Sequence, residues 1–374
     1  MTPRVLHFLS CDDWGGTEVQ VARLIEHGDP SRCIQHIATL APPGVLTARL
    51  AAKGVAVASL SGRVGPIGTI VRLARLIRRW RINVVEVYGF RAGLVARPAV
   101  LLGGRPLLII GVRGPHFVDA PITSKKARFA LFVERVLGAT VTQYVANSTG
   151  AANLLRTHGF DADKLTVIPN GIEVPNTARA LLVHHPPRIV CVARFTPSKR
   201  HDVLLDALRL LRLSGIAMTC TLVGDGETLA ASKRRASALM LGPLVNFMGR
   251  VDPERVATEL TTADLFVLVS EREGMPGSVL EAMASGLPVI ATDVEGTREI
   301  VEHDVSGVLI PAGDPKALAD AIRSLAGSPR RMASMGAAGH RIVATRFSVD
   351  RLTETRAQLY VELLNRRRTR KTAA

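Results

Sequence analysis

The amino-acid sequence predicts an α/β protein made of two doubly wound parallel sheets with helices on both faces, and three observations carry that expectation. Short β-like runs alternate with helical stretches almost from end to end of the 374 residues. Many of the runs are near-continuously apolar, such as Leu107-Leu108-Ile109-Ile110 and Leu265-Phe266-Val267-Leu268-Val269, which suits strands covered on both faces. The chain is also longer than one ordinary core organises, and its alternation pauses once, near the middle.

The elements follow in order. In the first half strands are expected near 4–9, 33–39, 55–59, 82–87, 107–112, 142–146 and 165–168. In the second half they fall near 188–193, 217–223, 244–247, 264–269, 288–291 and 307–310. The helical stretches between them, as right-handed crossovers, make each half a Rossmann-like domain. Asn170-Gly171-Ile172-Glu173-Val174-Pro175 leads into a weakly patterned stretch ending His184-His185-Pro186-Pro187. The first domain is therefore placed at 1–171, a linker at 172–187 and the second domain at 188–350. Beyond residue 315 the pattern is helical, and 351–374 is a long basic helix and tail. Two open α/β domains facing each other make a cleft, and such sheets bind ligands at the carboxyl ends of their strands.

Composition narrows the class. Hydrophobic residues make up 47% and charged residues 21%, a folded rather than a disordered chain. Cys11, Cys33, Cys191 and Cys220 lie far apart with no CxxC pair, which argues against a disulfide framework or a zinc site and fits reduced cytosolic thiols. The apolar run Val5-Leu6-His7-Phe8-Leu9 is too short for a signal peptide and reads as a buried first strand. The most apolar region, Ala99 to Val112, is broken by Gly103-Gly104-Arg105-Pro106, so no bilayer span is expected and the protein reads as cytoplasmic, soluble or peripheral. The net charge is +16 and unevenly spread: residues 1–187 hold 22 Lys/Arg against 11 Asp/Glu, whereas 188–374 hold 26 against 21. Five of those later cations (Arg366, Arg367, Arg368, Arg370, Lys371) crowd the end of the chain. The positive field thus belongs to the first half and the tail, and it points to an anionic partner.

The densest chemistry runs from Ser270 to Pro288. A buried strand ends in Ser270-Glu271-Arg272-Glu273-Gly274-Met275-Pro276-Gly277, and a helix follows with Pro276 near its first position. Amides at a helix N-terminus suit a phosphate. Glu273 sits in the turn and Glu281 lies a little over one turn into the helix, so one carboxylate can meet a sugar and the other a ribose, with phosphates between. Spacing alone equally allows two surface glutamates flanking an αβ unit. A second cluster, Val192-Ala193-Arg194-Phe195-Thr196-Pro197-Ser198-Lys199-Arg200, follows a strand; Arg194 and Lys199 can converge on a diphosphate, or stand as solvated loop charges. Leu222-Val223-Gly224-Asp225-Gly226-Glu227 is a third strand-turn-helix junction, where glycine also serves a tight turn.

Taken together, these residues resemble the large retaining glycosyltransferase family of GT-B fold known as family four, or glycosyl transferases group 1. The Glu-x7-Glu segment is followed by Gly286-Leu287-Pro288-Val289-Ile290-Ala291-Thr292, then Glu299-Ile300-Val301 and Gly307-Val308-Leu309-Ile310, and that ordered set is specific. Val167-Ile168-Pro169-Asn170-Gly171-Ile172 is similar to the family's domain junction. The resemblance implies a GT-B architecture whose last helix crosses back to the first domain. It implies that Arg194 and Lys199 neutralise a donor diphosphate, that Glu281 binds the ribose, and that Glu273 holds the donor sugar near its reacting carbon. Gly274, Met275, Pro276 and Gly277 would present backbone amides, Gly224 would line the donor site, and Arg250 and Val251 would pack on the base. A nucleotide sugar is then a co-substrate, UDP- or GDP-linked, and no metal or other cofactor is expected. The acceptor would be a glycan or a lipid-linked saccharide.

On the other half, Asp12-Asp13-Trp14-Gly15-Gly16-Thr17-Glu18 follows the first strand and opens a helix. In the resembled family this loop reaches the donor phosphate, and Gly15 and Gly16 would let the backbone approach closely. One departure stands out. Where relatives carry a His-Gly after the fifth strand, this sequence reads Gly111-Val112-Arg113-Gly114-Pro115-His116. Either His116 contacts the donor sugar from a displaced position, or Arg113 replaces it beside developing phosphate charge, or His116 is an ordinary loop residue.

Two basic stretches, Ile70 to Trp80 and Ser124 to Val133, can lie on an anionic membrane or can be core-facing helices with solvated basic faces. The charge asymmetry favours membrane contact. A nucleic-acid partner ranks behind it: aromatic residues are only 4%, and no recognition-helix, zinc or RNP-type motif occurs. A non-catalytic GT-B-like partner subunit and a GT-B epimerase or phosphorylase are further alternatives. The sequence does not specify an oligomeric state.

Overall fold

The structure is a computed structural model that describes residues 2–13, 15–62, 65–113, 125–176 and 184–372. The chain forms two compact units, one from the residues up to Gly171 together with those from Val349 onward, the other from Ile172–Ser348.

In the first unit the elements run β1 (Arg4–Leu9), α1 (Gly16–Glu26), β2 (Ile34–Thr39), α2 (Val45–Ala52), β3 (Ala56–Ser59), α3 (Gly65–Arg79), β4 (Val84–Tyr88), α4 (Phe90–Leu102), β5 (Leu107–Val112), α5 (Lys125–Val136), β6 (Gln143–Ala146), α6 (Thr149–Thr157) and β7 (Leu165–Val167). The strands pair in parallel in the order β3-β2-β1-β4-β5-β6-β7. Successive side chains of a strand point to opposite faces. Leu6, Phe8, Val85, Val87, Leu108 and Ile110 therefore enter one core with α3, α4, α5 and α6. Their neighbours Val5, Val84, Ile109 and Val145 enter the opposite one. Both faces need apolar residues, which is why these strands read as unbroken apolar runs.

The second unit runs β8 (Arg188–Val192), α7 (His201–Leu213), β9 (Thr219–Val223), α8 (Leu229–Ala238), β10 (Val245–Gly249), α9 (Pro253–Thr262), β11 (Leu265–Leu268), α10 (Gly277–Ala284), β12 (Val289–Thr292), α11 (Glu295–Arg298), β13 (Gly307–Ile310), α12 (Pro315–Ala326) and α13 (Pro329–Arg346). Its parallel sheet has the order β10-β9-β8-β11-β12-β13. The doubly wound class is as expected, and each strand lies within two residues of its expected span. The order reverses between β8 and β11, and their carboxyl ends flank the crevice where open sheets of this kind take ligands.

The last helix, α14 (Val349–Thr372), belongs to the first unit. Its Leu352, Tyr360 and Leu363 pack with Val5, Val84 and Ile109. Arg356 and Tyr360 both reach the buried Glu86 of β4. Burial alone would raise the Glu86 pKa, but Arg356 and His7 outweigh it and hold the carboxyl below its ordinary value. Among the described residues no helix is long and apolar enough to cross a membrane.

Candidate functional site

The loops after β8 and β11 form one connected structure in the second unit. Phe195, fully buried, anchors the first loop: its amide donates to Asp225 O at 2.9 Å, its carbonyl accepts from Thr228 N at 3.0 Å, and its ring stacks on His201 with centroids 3.9 Å apart. Burial pulls the His201 pKa down to about 4, with the nearby Lys199 adding to the shift, so the ring stacks as a neutral aromatic. Arg194 stands exposed on one side of this anchor, and Lys199 closes the 3-10 turn Pro197–Lys199 on the other.

Lys199 reaches across to Glu273 and pairs with its largely buried carboxylate. Two further links fasten the same loops. The amide of Glu271 donates to Ser198 O at 2.8 Å, and Arg200 spans Asp202 at 3.0 Å and Glu271 at 2.7 Å. Arg200 does this from a left-handed backbone conformation, φ 51°, uncommon for a residue with a side chain. Ser270 Oγ and Arg272 Nε, in the same turn, are buried with no hydrogen-bond partner among the described residues. Orphaned polar groups of this sort are rare and call for an explanation.

The Gly274-Met275-Pro276-Gly277 turn leads into α10. Pro276 is the N-cap and not the first helical residue: its ψ of 112° is extended, and α10 starts at Gly277. Met275 and Pro276 are buried, Met275 in the core beneath the turn, so only their backbone is available to a ligand. Helix geometry leaves the first amides of α10 without intrahelical acceptors. Glu281, half-buried, stands one turn further along. The turn is backed by α11: a Cβ on Gly296 would lie 2.5 Å from Gly274 O and 2.6 Å from Glu273 O. Thr297 and Thr292 hydroxyls bind backbone carbonyls of Thr292 and Ser270, tying β12 to the strand end.

Gly224 (φ +139°) has a packing reason of its own. Its amide donates to Gly249 O at 2.8 Å, and a Cβ there would strike the Ala193 carbonyl beside Arg194. Arg250 is exposed at the end of β10, and Val251 leans half-buried on the core under α10. Phe195, Arg200, His201, Glu271 and Gly296 belong to this assembly and escaped the sequence reading. They act through contacts between distant segments, Arg200 and Glu271 being 71 positions apart, and only the positive φ at Arg200 breaks a local rule.

In the first unit, Gly15 is the N-cap of α1 and Gly16 its first residue. The loop before them is braced, because Asp12 accepts from Gly44 N at 2.9 Å and Thr47 N at 3.1 Å. A Cβ on Gly15 would meet the Glu18 carboxylate at 2.5 Å, whereas one on Gly16 would meet nothing within 4 Å. Arg113 ends β5. Its Nη1 donates to Asn170 Oδ1 at 2.9 Å and its guanidinium lies 5.0 Å from the Tyr88 ring centroid. Burial lowers the Arg113 pKa, opposed by Tyr88 and Glu86. Arg113 thus belongs to the buried polar cluster of Tyr88, Glu86 and Arg356. His116, like Trp14, lies outside the described residues. Among the described residues no three His, Cys, Asp or Glu side chains are grouped to hold a metal ion.

Residues 176–341 match the sequence profile of the family Glycosyl transferases group 1, and residues 15–171 match that of a Glycosyl transferase 4-like domain. The chain belongs to the group 1 glycosyltransferases. It is 37% identical over 169 residues to the amylovoran biosynthesis glycosyltransferase AmsK of Erwinia amylovora, a match covering 43% of this chain and 42% of the relative. It is 30% identical over 256 residues to a D-inositol 3-phosphate glycosyltransferase of Xylanimonas cellulosilytica, covering 63% of this chain and 60% of the relative. The chain therefore spans less than two thirds of each of these two relatives. The crystal structure of Anabaena Alr3699/HepE in complex with UDP-glucose superposes with a TM-score of 0.80 at 20% identity, over 97% of this group 1 glycosyltransferase and 99% of that chain. The sucrose-phosphate synthase of Thermosynechococcus elongatus gives 0.79 at 19%, over 97% and 99%. At such identity the likeness concerns the fold, which is GT-B.

Proposed function

We propose that this group 1 glycosyltransferase moves a hexosyl group from a nucleotide-diphosphate sugar, UDP- or GDP-linked, to a hydroxyl of a lipid-linked saccharide, with retention at the anomeric carbon. The observation that carries the reading is the joining of the loops after β8 and β11, which sets Lys199 on Glu273 at the switch point of the second sheet. Two sets of relatives support the substrate classes. Names among them include amylovoran biosynthesis and a GDP-mannose-dependent mannosyltransferase of Mycobacterium tuberculosis, and one neighbour of the same fold holds UDP-glucose.

In this reading Arg194 and Lys199 neutralise the leaving diphosphate, helped by the first amides of α10. Glu273 holds the sugar and Glu281 the ribose, while Gly224, Arg250 and Val251 shape the nucleoside side of the site. The open space at Gly16 lets the α1 N-terminus approach phosphate closely. The bond from the anomeric carbon to phosphate oxygen breaks as the acceptor oxygen bonds to that carbon, and the acceptor's proton passes to the diphosphate. Arg113 or His116 stabilises charge near the sugar. All of this charge handling falls to the protein's own groups, so a metal ion or other cofactor is not part of the scheme. The enzyme works peripherally on the cytoplasmic face of a membrane.

The test is a panel of nucleotide sugars scored by thermal shift and by slow donor hydrolysis, with and without EDTA. One donor should stabilise the protein and be hydrolysed at an EDTA-independent rate, and both effects should vanish in Arg194→Ala and Glu281→Ala. A folded protein that responds to no donor would overturn the reading in favour of a non-catalytic partner subunit.

A further inference from the structure

Three of the four helices on one face of the first unit's sheet, α3, α4 and α5, follow one another along the chain. From Gly65 to Val136 the described residues of these helices include one acid, Glu134, which is buried against Arg97. On α5 the inward positions are Ala130, Leu131 and Glu134. The outward positions Lys125, Arg128, Phe129, Phe132, Arg135 and Val136 recur at helical spacing along a single stripe. Phe129 is 67% exposed, and Phe132 and Val136 are each 60% exposed. A solvated helix face normally carries mixed polar residues. This one alternates cations with large apolar groups.

The neighbouring helix repeats the arrangement. Arg97 of α4 pairs with Glu134 of α5, which joins the two helices on their buried sides. The exposed residues Arg91, Leu94, Leu101 and Leu102 fall on one stripe of α4. Both helices thus expose large apolar side chains beside cations, and clustered exposed apolar groups of this kind mark interaction surfaces.

We propose that the solvent faces of α4 and α5 dock this enzyme on an anionic lipid bilayer, with Phe129, Phe132 and Leu101 entering the headgroup region while Arg91, Arg128 and Arg135 meet lipid phosphates. The chemistry selects this occupant. Cations flanking aromatic and aliphatic groups, with no exposed acid on the described stripes, match a surface that is apolar beneath and negative above. A nucleic-acid duplex would use the arginines and leave the leucines and phenylalanines exposed. The proposal rests on the lipid-linked acceptor proposed above; the docking face belongs to the first unit, whereas the donor residues Arg194, Lys199, Glu273 and Glu281 belong to the second.

The test is flotation of the full chain with phosphatidylcholine vesicles, with or without about 30% phosphatidylglycerol, alongside donor-induced thermal shift of the same samples. The wild type should float with the anionic vesicles only and be released by high salt. Phe129→Ser combined with Phe132→Ser should weaken partitioning about tenfold while leaving the donor shift intact, which also shows that the variant is folded. Failure of the wild type to float, or equal flotation of the double variant, would overturn the proposal without touching the donor site. So would light scattering that finds a dimer which the same substitutions split, because the patch would then belong to a second copy of the chain. A protein that floats and binds no donor would instead overturn the proposed function.

Discussion

Arg194 and Lys199 were indistinguishable in the sequence, two cations in one loop, and the structure separates them by what each touches. Arg194 is exposed, so Arg194→Ala should leave the melting temperature within about 1 °C while donor turnover falls on the order of 100-fold. Lys199 neutralises the largely buried Glu273. Lys199→Ala strands that carboxylate, and a loss of about 1–3 kcal/mol should accompany the loss of activity. Calorimetry beside a donor-hydrolysis assay checks both, and near-wild-type turnover by Arg194→Ala would remove it from the site. His201 carries a third expectation at this scale. Its pKa lies near 4 in the fold against an ordinary 6.5, because burial disfavours the cation. Between those values the unfolded chain takes up a proton that the native chain refuses, so stability falls as pH drops through the window. His201→Phe keeps a ring against Phe195 and removes the titration. The variant should resist acidification from pH 7.5 to about 5 better than the wild type by roughly 2 kcal/mol in urea unfolding. An identical pH slope in the two proteins would show that His201 titrates normally in the fold.

At the scale of elements, the strands were readable because each is coated on both faces and so written as an apolar run; Leu107–Val112 needs no distant information to be recognised. The stitching between loops was not readable. Glu271 meets Ser198 and Arg200 only after β8 and β11 pair, and nothing local in Ser270-Glu271-Arg272 announces it. Gly296 shows the same limit. Nothing local in Val294-Glu295-Gly296-Thr297 marks it, yet it lets α11 sit directly behind the Glu273–Gly274 backbone. Gly296→Ala would put a methyl group 2.5–2.6 Å from two carbonyl oxygens, and the turn must move to admit it. Because that turn carries Glu273 and the entry to α10, the donor KM should rise about tenfold, by the sensitivity of positioned groups to displacements near 1 Å. Steady-state kinetics against the donor measures this. Unchanged kinetics would mean that the turn is not rigidly held from behind, or that Glu273 does not meet the donor.

For the whole molecule, the decisive feature is that the first unit is built from two separated stretches of chain, which no local pattern in the sequence displays. The last helix is legible as a long basic helix, but nothing local in the sequence sets Arg356 apart from its other cations. It is instead fully buried on Glu86, a residue 270 positions earlier, and the charge of each partner holds the other ionised against the cost of burial. Leu352, Tyr360 and Leu363 cover the β-sheet residues Val5, Val84 and Ile109. At about 1.5–3 kcal/mol for each buried side chain, these three contribute an amount comparable with the 5–15 kcal/mol that holds an ordinary domain together. Their removal also leaves Glu86 charged in a buried site without Arg356 or Tyr360. A chain ending at Ser348 should therefore lose the first unit and keep the second, since Ile172–Ser348 is continuous and has its own core. Hydrogen exchange read by mass spectrometry decides this: amides of β1, β4 and β5 should lose protection while those of β8, β11 and β12 retain it. The single change Arg356→Met, which leaves the apolar cover in place, should unsettle the same first-unit strands by about 3–5 kcal/mol and spare the second unit. If the shortened chain protected β4 as well as the intact one does, α14 would be an accessory to the first unit and not part of its core.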